Sequence, residues 1–224
     1  MAAYAFSDRK VPLLTARQIK AIVNDLLVRC GMHGLVSIDI VWLIEGYLVP
    51  NLPGGLRIEF YDQAEGQPPA YVSYNPLTLN VDREIWRDAK EGEPGARNIL
   101  AHEVGHIVLH KRDDLGYSFG KGSQLKAPPE DESAEWQANV FGHFLMVTDN
   151  ALIEEMPLLH KAADIGAPIW VVASVQKYDA VRDIFIFVAA PTFCGDPCGE
   201  CGNFTLSRRG VNLSCETCGW ILGE

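Results

Sequence analysis

The sequence predicts an α+β fold, with several helices around a small mixed or antiparallel sheet and a small cysteine-rich module at the C-terminal end. Apolar residues recur with helical spacing in five segments: 16–30, 36–48, 98–110, 130–147 and 168–182. Three short strand-like segments, separated by Gly, Pro and Asn, follow the second of them: IEFYD, AYVSY and LTLNV. Helices with a segregated group of strands are typical of α+β domains.

The ends of several elements are marked by local signals. Thr15 and Gln18 have the spacing of a capping box, which predicts that the first helix begins at about residue 16. Ile184–Ala190 is an apolar run that predicts a buried strand, and Pro191 follows it directly. We therefore expect a main domain over residues 1–190 and a small module over 191–224.

Composition and charge favour an enzyme of the cytoplasm. The chain has 224 residues, of which 48% are hydrophobic, enough for one substantial core and one small module. Asp8, Arg9 and Lys10 interrupt the region where a signal peptide needs an apolar run, and no membrane insertion is expected. The net charge of -10 argues against a protein that coats nucleic acid, although Arg208 and Arg209 form a small basic point.

The motif HExxH stands at residues 102–106, inside the third predicted helix. His102 and His106 are one helical turn apart, so both imidazoles project from the same side of the helix and can ligate one zinc ion. Glu103 borders that side and can reach a water activated by the metal, which predicts that it is the general base of amide hydrolysis. The motif thus indicates a zinc site with a catalytic carboxylate.

A hydrolytic zinc site needs a third protein ligand. The longer metzincin pattern is absent, because Leu109 and Arg112 occupy its Gly and His positions, and His110 is interpreted as a helix-end residue. Glu135 is the candidate in the fourth predicted helix, since it forms an i, i+4 polar pair with Asn139, whose amide could support a ligand. Without the upstream motif, a solvated polar pair would be an equally good interpretation.

The C-terminal cysteines form a second candidate metal site. Cys198, Cys201, Cys215 and Cys218 have the spacing C-x2-C-x13-C-x2-C, with Gly after each pair. Between the pairs, NFTL and GVNL are predicted to be short strands around an SRRG turn. This pattern indicates a structural zinc ribbon with four thiolate ligands, in a reducing compartment.

Two further cysteines lie outside this pattern. Cys194 could exchange with Cys198 as a ribbon ligand or act as a removable thiolate on the catalytic zinc. Together with Cys198 and Cys201 it also has the C-x3-C-x2-C spacing of radical-SAM enzymes, but that motif normally opens a large barrel, and only 23 residues follow Cys201. Cys30 follows an apolar helical stripe and is predicted to be a buried small hydrophobic residue.

The stretches LAHEVGHIVLH (100–110) and EWQANVFGHFLMV (135–147) resemble the two motif helices of the ImmA/IrrE family of bacterial zinc metallopeptidases. The segment 71–86 also resembles the strands that precede the family's zinc helix. The resemblance implies a helical zincin-like core, in which His102, His106 and Glu135 ligate zinc and Glu103 is the base. Glu132, three residues before Glu135, is the alternative third ligand.

The resemblance also implies a function: a zinc endopeptidase whose substrate is a helix-turn-helix repressor, with a role in a stress, mobile-element or phage-defence response. Tyr117 and His143 are candidates for stabilising the oxyanion, and the alternative interpretation of each is a surface or packing residue. Two alternatives remain, a non-catalytic regulatory protein and a nucleic-acid-responsive sensor, both with the ribbon as binding module. The intact Glu103 argues against the first and the acidic charge against the second.

Overall fold

The computed structural model describes residues 8–64, 67–110, 129–152 and 156–180, and three short strands at 206–209, 212–215 and 221–222, with side chains described as far as residue 176. The fold is α+β, as predicted: the described part of residues 16–180 contains helices and one small three-stranded sheet. The predicted strand at 184–190 lies outside the described residues.

The sheet consists of β1 (Arg57–Tyr61), β2 (Ala70–Ser73) and β3 (Thr78–Asp82) in the order β1-β3-β2. β3 is buried along its whole length and pairs in parallel with β1 and antiparallel with β2, so the sheet is mixed. Because β3 is central, β2 is an edge strand. All three predicted strands are present within one residue of their expected positions at each end.

Helix α1 (Ala16–Arg29) begins where the capping box predicts. The Thr15 hydroxyl accepts a hydrogen bond from the Gln18 backbone N–H at 3.3 Å, and the Thr15 backbone N–H donates to the Gln18 side chain at 2.9 Å. The apolar stripe of α1 is buried, and Cys30 at its end is 9% exposed, as predicted for a small hydrophobic residue.

The second predicted helix begins about four residues later than expected. Asp39 is its N-cap and accepts from the Trp42 backbone N–H at 2.9 Å. The helix continues as α2 (Ile40–Trp42), a π-helical segment (Leu43–Leu48) and α3 (Val49–Asn51). Ser37 and Ile38 precede this N-cap, and the Ser37 hydroxyl and the Ile38 carbonyl accept hydrogen bonds from the buried Arg97 side chain at 3.0 and 2.8 Å.

Two short helices were not predicted, α4 (Arg83–Lys90) and α7 (Leu158–Ile165). Helix α4 begins directly after the last residue of β3, and α7 follows Pro157 and ends at Gly166, whose φ of 67° is the left-handed value that favours glycine. The predicted helix at 168–182 is present as α8 (Ile169–Ala180).

Helices α5 (Pro94–Leu109) and α6 (Ala134–Met146) pack directly against each other at the centre of the core. Two glycines permit this close approach. A Cβ on Gly105 would lie 2.8 Å from the Ala138 carbonyl oxygen, and a Cβ on Gly142 would lie 3.0 Å from the His102 backbone nitrogen. The two helices therefore meet backbone to backbone at the level of the HExxH motif.

The C-terminal strands β4 (Leu206–Arg209), β5 (Asn212–Cys215) and β6 (Ile221–Leu222) form an antiparallel sheet. The prediction of a turn at SRRG was wrong, because Arg208 and Arg209 belong to β4 and Arg209 pairs with Asn212. The strands are thus shifted along the sequence relative to NFTL and GVNL.

Within the described residues, no single helix is long and apolar enough to cross a bilayer, and Leu158–Ile165 with Ile169–Gln176 meet that test only jointly, across a bend of 109°.

Candidate metal centre

Three side chains from α5 and α6 converge on one point. The Nε2 atoms of His102 and His106 are 3.0 Å apart, and the Glu135 carboxylate oxygens lie 3.3 Å from His102 Nε2 and 3.5 Å from His106 Nε2. Among the described residues, these three form the group of His, Cys, Asp and Glu side chains whose ligand atoms are close enough to hold one metal ion. The structure therefore brings together the three residues that the sequence nominated.

Local structure explains how each helix presents its ligands. His102 and His106 are one turn apart on α5, and Glu135 lies in the first turn of α6. The start of α6 is held by Ser133, whose hydroxyl accepts from the Trp136 N–H at 2.9 Å and donates to the Asp8 carboxylate at 2.7 Å. Asp8 also accepts from the Glu135 backbone N–H at 3.3 Å, which fixes the ligand's position.

The N-terminal segment forms a strap along the start of α6. Lys10 forms a β-bridge with Ser133, and the Val11 backbone N–H donates to the Glu132 carbonyl at 2.8 Å. The Lys10 ammonium pairs with the Glu132 carboxylate. Glu132 was the alternative third ligand, and this interpretation is wrong, because its side chain is engaged with Lys10 and lies outside the cluster of possible ligands.

The outer nitrogen of each imidazole has a partner. His102 Nδ1 lies 2.8 Å from Asn139 Oδ1, so Asn139 supports a ligand as the sequence suggested, although it contacts His102 and not its helix neighbour Glu135. His106 Nδ1 lies 3.0 Å from His110 Nδ1. Both Nε2 atoms consequently face the point where the three side chains converge.

His110 is the C-cap of α5, so its predicted position at the helix end is confirmed, but its side chain has a different environment from the one predicted. The helix-end interpretation placed its imidazole near the last carbonyls of α5, but the side chain is 3% exposed and lies between His106 and Gln137. Burial, assisted by the neighbouring His106, lowers the pKa of His110 to about 4. This role was missed because Gln137 is distant in sequence and carries no signal of its own.

Glu103 lies next to the cluster but outside the set of three. Its side chain is 6% exposed, and burial raises the pKa of the carboxyl above its usual value, against the lowering effect of His102 and His106. The Val72 backbone on β2 provides a hydrogen bond to it. A carboxylate with a raised pKa is better matched to accepting and then releasing a proton near neutral pH.

The pKa values of the proposed ligands reflect a strong attraction between the imidazoles and the neighbouring carboxylates. Burial alone would lower the pKa of His102, but the hydrogen bond to Glu135 and the charge of Glu103 outweigh it and raise the pKa to about 9. Burial would raise the pKa of Glu135, but its contacts with the His102 and His106 side chains outweigh burial and lower this pKa well below its usual range. A positive charge is thus favoured at the point of convergence, whether a proton or a metal ion supplies it.

Of the two candidates for oxyanion stabilisation, Tyr117 lies outside the described residues. His143 is 6% exposed and its ring packs edge-on against Trp170 at 5.3 Å, so the structure places it in the core. Burial, with a smaller contribution from the charge of His102, lowers the pKa of His143 to about 3. Of the two interpretations of His143, the structure therefore supports the packing residue and not the oxyanion-stabilising one.

Tyr74 borders the site and was not nominated from the sequence. Its hydroxyl donates to the His106 backbone carbonyl at 3.2 Å. Burial, together with the charges of Glu103 and Glu135, raises the pKa of this hydroxyl to about 12, so it stays protonated near neutral pH. Its position after strand β2 was the only available sequence signal.

The second candidate site cannot be assembled from the described residues. Cys194, Cys198, Cys201 and Cys218 lie outside them, and Cys215 ends strand β5 with its side chain outside the description. The four-thiolate ribbon stays a prediction from the spacing.

Two histidines from one helix and a glutamate from another, beside a buried carboxylate, are the arrangement of zinc metallopeptidases. Residues 66–167 match the family model Peptidase_M78, described as the IrrE N-terminal-like domain. The matched range contains the whole His-His-Glu cluster and supports both the ImmA/IrrE family and a metallopeptidase function. No match was found among curated proteins.

Proposed function

We propose that this protein is a cytoplasmic zinc-dependent endopeptidase that hydrolyses a peptide bond in a protein substrate. The observation that carries this proposal is the convergence of His102, His106 and Glu135 with the buried Glu103 beside them. The metallopeptidase family match over the same region supports it independently.

The donor set fits zinc. Two imidazole nitrogens and one carboxylate are the protein ligands of hydrolytic zinc sites, which leave a further position for water or substrate. The partners of both Nδ1 atoms, Asn139 and His110, keep the Nε2 atoms of His102 and His106 directed at the ion's position. When bound, zinc would act as a Lewis acid and lower the pKa of a water molecule to about 7.

In this proposal Glu103 accepts the proton of the attacking water and delivers it to the leaving amine. Its burial supports the role, because a carboxylate with a raised pKa binds the transferred proton more readily than an exposed one. Its exclusion from the ligand set leaves it available for proton transfer.

The edge of the sheet supports an extended peptide as the form in which the substrate binds. The Asp82 N–H donates to the Pro69 carbonyl at 2.9 Å, and the register then alternates so that Ala70 and Val72 direct their backbone groups away from β3. Among the described residues no strand pairs with β2 on this side, and the Val72 backbone there reaches Glu103. A peptide strand added along β2 would pass the proposed catalytic carboxylate.

The finer parts of the proposal extend the family resemblance. The substrate would be a helix-turn-helix transcriptional repressor, cleaved during a stress, mobile-element or phage-defence response. Residues 1–190 would form the peptidase domain and 191–224 a ribbon in which Cys198, Cys201, Cys215 and Cys218 bind a second, structural zinc. The ribbon would recognise the substrate or the activating signal.

The role of Glu103 is tested by comparing wild type with Glu103→Gln, and Glu132→Gln is the matched control. Each protein is incubated with a candidate repressor and with cell lysate, new N-termini are identified by labelling and mass spectrometry, and zinc content is measured in parallel. We expect all three proteins to bind the same amount of zinc. Only wild type and Glu132→Gln should generate new N-termini.

Equal cleavage by wild type and Glu103→Gln would show that Glu103 is not the base. Loss of zinc from Glu103→Gln would show that it is a ligand. If no protein is cleaved and the intact chain binds a partner with unchanged zinc content, the regulatory, non-catalytic alternative replaces the proposal.

A further inference from the structure

His110 lies behind a proposed metal ligand and has polar contacts on both sides of its ring. Its Nδ1 is 3.0 Å from His106 Nδ1, and its Nε2 is 3.2 Å from Gln137 Oε1. Both His110 and Gln137 are buried, with exposures of 3% and 1%. At such exposures each polar atom must find its hydrogen-bond partner within the protein.

The orientation of the Gln137 amide follows from its other contacts. Its Nε2 lies 2.9 Å from the Pro12 carbonyl oxygen and 2.8 Å from the Asp131 carbonyl oxygen. Because carbonyl oxygens only accept hydrogen bonds, the amide nitrogen must face them and donate both of its hydrogens. The Gln137 oxygen is then the atom that faces His110, and it must accept.

This orientation determines where the protons lie on two imidazoles. To donate to Gln137, His110 carries its proton on Nε2, and the Nδ1 of the neutral ring is then an acceptor. His106 Nδ1, 3.0 Å away, must donate to it. His106 therefore has its lone pair on Nε2, the atom that lies 3.5 Å from Glu135 Oε1.

We propose that His110 is a positioning residue that, together with Gln137, fixes the tautomer of His106 so that its Nε2 can ligate a divalent metal cation. The chain of hydrogen bonds starts at two backbone carbonyls, Pro12 and Asp131, whose acceptor character cannot change. This inference rests on the proposed function, because the tautomer of His106 affects metal binding only if His106 Nε2 is a ligand of the ion. For His102 a single contact has the same effect, because its Nδ1 donates to Asn139 Oδ1 at 2.8 Å and its Nε2 faces the proposed ion.

The proton positions can be measured directly by long-range ¹H–¹⁵N correlation spectra of the ¹⁵N-histidine-labelled full chain, without metal and with zinc. We expect His110 to be protonated at Nε2 only, and Nδ1 to show the shift of an acceptor nitrogen, in both states. Protonation of His110 at Nδ1 would overturn the proposal. This result does not depend on whether the protein cleaves anything.

Two substitutions test the consequence for metal binding. His110→Leu removes the acceptor, and we expect the zinc affinity of the full chain to fall by about tenfold to a hundredfold, as for other partners of zinc ligands. His110→Asn places an amide oxygen near the former Nδ1, and its affinity should stay within about threefold of wild type. A competing chelator measures each affinity, and His106→Ala defines the zinc that binds elsewhere.

A purely structural role for His110 would lower the unfolding temperature of both variants without separating their zinc affinities. Equal affinity of wild type and His110→Leu, or equal losses in His110→Leu and His110→Asn, would therefore refute the proposal. If wild type and His106→Ala bind zinc equally, the proposed metal site itself fails, while the spectra still decide the tautomer of His110.

Discussion

Replacing Gly105 with alanine tests whether the close contact of α5 and α6 sets the geometry of the metal centre. The new Cβ would lie 2.8 Å from the Ala138 carbonyl oxygen and 2.9 Å from its Cα, and both atoms belong to the backbone of α6. Ordinary contact begins at 3.4 Å, so the helices must separate locally by about 0.6 Å. Zinc–ligand distances tolerate only about 0.2 Å.

Two effects of opposite sign act on stability. Overpacking of this kind costs about 1–3 kcal/mol, while alanine favours the helix over glycine by about 1 kcal/mol. We expect a net loss of up to about 2 kcal/mol in the unfolding free energy of the metal-free protein. Zinc affinity should fall at least about tenfold, although no ligand has been changed, because His102 and His106 move relative to Glu135.

Gly95→Ala is the matched control on the same helix. The three nearest atoms to its Cβ would belong to the Glu93 carboxylate, the nearest at 3.1 Å, so the new methyl group meets a side chain and not the backbone of α6. Denaturant unfolding and chelator competition on both variants give the two quantities. If Gly105→Ala matches Gly95→Ala in stability and zinc affinity, the close helix contact does not set the geometry of the site.

Three further predictions concern the core and the pH dependence. Phe141→Ala removes a side chain that is fully buried, and should cost about 3–5 kcal/mol in denaturant unfolding; a loss under about 1 kcal/mol would contradict this packing. Arg97→Leu leaves the carbonyls of Ile38 and Gly166, now bound at 2.8 and 2.5 Å, without the guanidinium donor, and should cost about 2–4 kcal/mol; calorimetry showing no change would mean that water replaces the guanidinium. The pKa of His102 is raised from 6.5 to about 9, so protonation of this imidazole stabilises the folded metal-free protein. This stabilisation is complete below pH 6.5 and is lost as the pH rises through 9. Zinc replaces that proton, so the melting temperature should decline between pH 6.5 and 9 only in the metal-free protein, and parallel declines with and without zinc would refute the assignment.

Those parts of the fold whose signals are local could be predicted from the sequence. The Thr15 capping box sets the start of α1, and the i, i+4 spacing of His102 and His106 follows from helix geometry alone. Helices α4 and α7 were missed because each has only eight residues, too few for a clear periodic pattern.

The parts of the site that depend on tertiary contacts could not be predicted in full. Asn139 was linked to ligand support because it lies one turn after Glu135, yet its partner is on the other helix. The contact of His110 with Gln137 needs α5 and α6 to pack at Gly105, and it needs the N-terminal strap to bring Pro12 to the Gln137 amide. Neither pairing has a sequence spacing that would reveal it.

The most direct test of the metal centre is anomalous diffraction at the zinc absorption edge from crystals of the zinc-loaded full chain. We predict an anomalous peak about 2.0–2.2 Å from His102 Nε2, His106 Nε2 and a carboxylate oxygen of Glu135, with Glu103 beyond bonding distance. Absence of a peak among these three side chains, or a peak ligated by Glu103 or His110 in place of Glu135, would contradict it.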